Sequence, residues 1–139
     1  MILTADNLAK RGWPHNVNCS FCHSTPETAA HLHISCPYAQ ACWAQVLIKT
    51  NLPTTLMPPL NATSISSCWS AISASAPATI TKRWCSVALL TWWNLWKARN
   101  DRIFNNMAVS ATALADTILL ELTQWRAAGL LITVWPAGA

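Results

Sequence analysis

Charge is what this sequence has least of: Asp, Glu, Lys and Arg make up 10% of its 139 residues, against roughly 25% in an ordinary soluble domain. The five acids, Asp6, Glu27, Asp101, Asp116 and Glu121, are spread along the chain. They leave no paired-carboxylate or nucleophile motif, so no independent enzymatic activity is expected. Long apolar runs are also missing. The uncharged apolar stretch worth testing against a membrane, residues 84–96, is closed by Arg83 and Lys97 and falls short of the about 20 residues that a helix needs to cross a bilayer. No basic segment followed by an apolar core opens the chain, so a secretory leader is not expected, and a reducing intracellular compartment, nuclear or cytoplasmic, is. No strand-like alternation is long enough to count except a short β-prone run at 130–134, and a chain of this length has no room for a second large domain.

What the chain does contain is apolar. Hydrophobic residues reach 53%, with nine tryptophans, six cysteines and a formal charge of +4. Such a chain folds, yet it has little charge to cover a surface, and part of its apolar exterior is expected to need a partner. The punctuation predicts a mostly α fold. Thr4 and Gly12 bracket a short helix over 4–11, with an acid in its first turn and cations in its last. Residues 13–27 are turn-rich, and a short helical pattern covers 28–32. Pro37 pushes Cys36 out of the α region and restarts a helix over 37 to about 49. Residues 51–63, with Pro53, Pro58 and Pro59 and no charge, read as a loop or hinge. A short helix follows over 64–73, then a long Trp-rich one from about 77 to 105, where Trp84, Ala88, Trp92, Leu95, Arg99 and Ile103 keep helical spacing. A last helix is capped by Ser110, buries Leu114, Ile118, Leu122 and Trp125, and stops at Gly129.

The chemistry concentrates in Cys19, Cys22, His31 and Cys36, spaced C-x2-C-x8-H-x4-C. Zinc takes four N or S ligands in a tetrahedron, and two cysteines two residues apart wrap one edge of it as a turn. Residues five apart on an unbroken helix stand about 140° apart, so the break before Pro37 is what lets His31 and Cys36 face one ion. His33 competes for the third position, three residues before Cys36. His23 and Cys42 lie nearby, the first beside a ligand and solvent-facing, the second a small buried hydrophobe inside a helix. Three thiolates and an imidazole around one Zn2+ leave the site with a single negative charge and no position for water. Such a closed site is structural, whereas catalytic zinc keeps a position open.

The segment Asp6-Asn7-Leu8-Ala9-Lys10-Arg11-Gly12, the pair Cys19 and Cys22, and the run from Glu27 through His31 and Cys36 to Pro37, with Trp43, together resemble the zinc-binding region of plant non-LTR (LINE-type) retrotransposon reverse transcriptases. Residues 93–104, Trp-Asn-Leu-Trp-Lys-Ala-Arg-Asn-Asp-Arg-Ile-Phe, resemble the helical segment that follows it in those polyproteins. The resemblance covers roughly residues 2–105. It places the ligands on Cys19, Cys22, His31 and Cys36, and it puts His33 where the family usually has an apolar aromatic residue, which favours His31. It implies a zinc-binding module over 1–50, a connector over 51–63 and a truncated helical segment over 64–139, all part of a longer polyprotein that carries the polymerase residues.

The resemblance further implies binding of RNA or DNA. Lys10 and Arg11 beside the zinc loop, and Lys97, Arg99 and Arg102 at the end of the Trp-rich helix, are the candidate contacts to phosphate. The same cations also fit a plainer role, solvating helix ends and complementing helix dipoles while the tryptophans form core. Three readings follow: a zinc-dependent nucleic-acid accessory module, a module that docks on the missing polymerase without nucleic acid, or a non-functional piece of a degenerate element.

Overall fold

The computed structural model describes residues 17–60 and 64–128. The helix expected over 4–11, with Lys10 and Arg11, and the run at 130–134 lie outside them. The described residues are mostly helical and form no strand; their only extended pairing is an isolated bridge between Asn18 and Pro26. Four α-helices follow a π-helical turn: α1 Pro37–Lys49, α2 Ile65–Ser75, α3 Ala78–Phe104 and α4 Ala111–Ala127.

Each boundary has a local cause. Cys36 is extended, at φ −62° and ψ 136°, and Pro37 opens α1 in its first turn, where a missing N–H costs nothing. The helix ends where Asn51 takes φ 57°, while Leu52 N–H donates to the Leu47 carbonyl and Asn51 N–H to that of Ile48; this paired closure needs a residue tolerant of the left-handed region. Ser64 caps α2, its hydroxyl accepting from Ser67 N–H at 3.0 Å, and Ser110 caps α4, accepting from Ala113 N–H at 3.0 Å. Between α1 and α2 the proline-rich stretch is a loop with one 3-10 turn, Thr54–Leu56. Leu52 and Leu56 turn their side chains into the core.

Helix α1 packs along α4 and also meets α3, α4 returns along α3, and α2 leans on α3. At the centre, Trp43 of α1, Trp69 of α2, and Trp84 and Trp92 of α3 form one cluster. Trp43 stacks on Trp84 at 6.2 Å between ring centroids, and Trp92 meets both edge-on at 5.6 and 5.9 Å. Such pairs add about 0.5–1.5 kcal/mol each beyond the area they bury. Of the spaced residues on α3, Trp84, Ala88, Trp92, Leu95 and Arg99 are buried, whereas Ile103 is exposed. No helix of the described residues is long and apolar enough to cross a membrane.

Candidate metal centre

The loop before the π-turn is a tight knuckle. Cys19 N–H donates to the Thr25 carbonyl at 2.8 Å, His23 N–H to the Cys19 carbonyl at 2.9 Å, and Glu27 N–H to the Val17 carbonyl at 2.9 Å. His23 closes the turn at φ 59° and is exposed. Phe21 N–H points at Cys19 Sγ, 3.4 Å away, an arrangement that stabilises a thiolate.

The second half of the site comes from the π-turn His31–Ser35. Its closing bond runs from Cys36 N–H to the His31 carbonyl at 2.8 Å, five residues back, which brings residue 36 almost over residue 31. The chain uses a widened turn as well as the break at Pro37 to bring the two residues together. Thr28 starts this segment by accepting His31 N–H on its hydroxyl at 3.0 Å.

Four donor atoms meet here. The ligand atoms of Cys19, Cys22, His31 and Cys36 all lie within 4.8 Å of one another. Cys19 Sγ and Cys36 Sγ are 3.9 Å apart, and Cys22 Sγ is 3.3 Å from His31 Nε2. Zinc–ligand bonds of about 2.3 Å to sulfur and 2.0–2.1 Å to nitrogen make tetrahedron edges of about 3.8 Å and 3.5 Å, so both observed edges fit one ion. A disulfide needs about 2.05 Å, and all six cysteines are free thiols.

The Cys19 thiol is lowered to about 5, chiefly by its hydrogen bond with Cys36, against burial; Cys36 is raised by the same bond and by burial. Burial pushes Cys22 up, but bonds from Ser24 and then His31 bring it down to about 7. Burial alone drives Cys42 up to about 12, which keeps it a neutral thiol packed inside α1. His33 points elsewhere: its ring Nδ1 meets the Ala29 carbonyl at 2.9 Å, its own carbonyl accepts from Trp43 Nε1 at 3.2 Å, and burial holds its pKa below the usual histidine value.

One element of the site has no spacing signal in the sequence. Glu27 and Arg99 form a buried ion pair, 2.7 Å from Arg99 Nη2 to Glu27 Oε1, with side chains 3% and 1% exposed for Arg99 and Glu27. Glu27 Oε2 also accepts from the backbone N–H and hydroxyl of Ser20, at 3.4 and 3.3 Å, between the two knuckle cysteines. This corrects the expectation that Arg99 contacts nucleic acid: its guanidinium is sealed in the protein by a carboxylate. Arg102 is half-buried, 5.0 Å over both Phe21 and Tyr38, and it donates to the Ser20 carbonyl at 3.2 Å. Lys97 is half-exposed, paired with Glu121 at 3.4 Å.

The site therefore defines a class, a three-cysteine, one-histidine cluster compatible with one structural zinc ion. Residues 1–43 match the family model described as zinc-binding in reverse transcriptase. The match covers 43 of the chain's 139 residues and is a likeness of this part alone. No curated protein and no solved structure matches the chain.

Proposed function

We propose that this chain is a structural zinc-binding module of a plant LINE-type reverse-transcriptase polyprotein, acting inside the cell and without catalytic activity of its own. The observation that carries the proposal is the closed donor set: four ligand atoms within 4.8 Å fill a tetrahedral ion and leave no position for a reacting water. The described acids support the absence of catalysis. Glu27, Asp116 and Glu121 are tied to Arg99, Lys49 and Lys97, and Asp101 accepts from Asn105. The test is metal analysis of the purified chain, where one equivalent of zinc is expected and a metal-free, fully folded chain would sink the reading.

As an accessory role, the module contacts RNA or DNA through Lys97 and Arg102, together with Lys10 and Arg11. What supports this is Lys97, half-exposed and 5.7 Å over the exposed Trp93 ring, a cation beside a surface on which a base can stack. Binding to single- and double-stranded RNA and DNA measured at about 50 and 200 mM salt should weaken steeply with salt. A second reading, docking on the rest of the polyprotein without nucleic acid, is favoured by Leu89 and Trp93, 53% and 54% exposed. Leu89 lines an open apolar recess of about 520 Å³ with Trp69 and Trp92. Absence of any salt-sensitive affinity would favour that reading, or a non-functional remnant of a degenerate element.

A further inference from the structure

The family match ends at residue 43, but the contacts that hold the knuckle do not. Ser20 and Phe21, the two residues between Cys19 and Cys22, are gripped from α3. Arg99 reaches them through Glu27, donating to Oε1 from both Nε and Nη2, at 3.2 and 2.7 Å, while Glu27 Oε2 takes both donors of Ser20. Arg102 binds the Ser20 carbonyl directly and lies over Phe21 and Tyr38, whose rings stack at 4.2 Å between centroids.

We propose that the functional metal site is discontinuous: Arg99 and Arg102 are positioning residues that hold the Cys19–Cys22 knuckle in its zinc-binding shape, so zinc retention depends on α3, and the C-terminal end of α3 depends on zinc. Groups that orient ligands from outside the coordination sphere typically change metal affinity by about 10- to 100-fold when removed. Binding linkage makes the dependence reciprocal. If zinc stabilises the knuckle against the Arg99–Glu27 pair, its loss exposes that pair to water and loosens the segment of α3 that carries it.

The proposal rests on the zinc reading, and its test keeps the two apart. In the full-length chain, zinc affinity is measured by chelator competition for the parent, Arg99→Met, Arg102→Gln, and the double variant Glu27→Leu with Arg99→Met. Replacing both members of a buried pair by apolar residues of similar size is often neutral for stability, whereas removing one leaves an unpaired charge. The double variant is therefore expected to regain the thermal stability that Arg99→Met loses, yet to hold zinc about 10- to 100-fold more weakly than the parent, because Ser20 has lost its carboxylate acceptor. Arg102→Gln, at a half-buried position, should weaken zinc binding in the same sense and keeps the test open if Arg99→Met does not fold. Hydrogen exchange of the parent with and without chelator should show protection lost at residues 98–102. Parent-like affinity in both the double variant and Arg102→Gln, or exchange at 98–102 unaffected by chelation, overturns the proposal. A folded parent that takes up no zinc overturns the zinc reading itself.

Discussion

At the scale of single residues, the site divides into groups that hold metal and groups that hold those groups. Cys22→Ser or His31→Ala removes a ligand, and each is expected to abolish stoichiometric zinc and lower thermal unfolding together, while His33→Ala should destabilise the fold and keep the metal. Metal content and a thermal melt on the three variants check this. Acid gives a second handle. Burial keeps His33 neutral, with its folded pKa below the unfolded value, so below about pH 6.5 the unfolded chain binds the extra proton first. Stability is therefore present above that pH and lost as pH falls toward the folded pKa. Thiolate ligands add their own loss in acid, so the quantity to read is the difference in slope between the parent and His33→Phe, which should be the flatter of the two. The ligand quartet was legible from spacing because all four residues fall within a single turn-and-helix segment. The Glu27–Arg99 pair was not, since the partners are 72 residues apart and an arginine at helical spacing among tryptophans carries no mark of the carboxylate it will meet.

At the scale of elements, the helices were readable where a side chain does the capping. Ser110 stands at its cap as its position before the apolar run indicated, whereas Ser64, read as the first residue of its helix, caps it instead; Ser110→Ala should cost about 1 kcal/mol in a chemical denaturation experiment. Asn51, with φ 57°, tests the end of α1: Asn51→Gly should be tolerated, while Asn51→Val should cost about 1–2 kcal/mol by forcing a branched side chain into the left-handed region. The π-turn was not readable. A bond from residue 36 to residue 31 differs from an α-helical bond by one residue, and nothing in the composition of His-Leu-His-Ile-Ser distinguishes the two. Its meaning appears only when the ligand atoms are placed, because an α-helical register would turn His31 and Cys36 away from each other.

For the whole molecule, the scarcity of charge acquires a structural account. Among the described residues, three of the acids are used in ion pairs between segments: Glu27 links the knuckle to α3, Asp116 links α4 to α1, and Glu121 links α4 to α3. Burial falls to the apolar side chains, with tryptophans at the centre. Trp84 is fully buried at the meeting of three helices, and Trp84→Ala should cost about 3–5 kcal/mol, enough to unfold a domain of ordinary stability. Equilibrium denaturation followed by circular dichroism would show a transition lost or moved far to lower denaturant. The sequence announced this core through its helical spacing, which holds Trp84 and Trp92 and omits Trp93, 54% exposed.

The distance along the chain between Glu27 and Arg99 also sets an order of events during synthesis. The knuckle and its ligands leave the ribosome first, and at about 5–20 residues per second the 72 residues that separate the pair take roughly 4–14 s to follow. For that interval the nascent chain holds a cysteine-rich loop whose carboxylate has no arginine to meet, and cellular zinc or a thiol oxidant can reach it before α3 does. Early capture of the ion would protect the thiols, and the later arrival of α3 would then close over a centre already made.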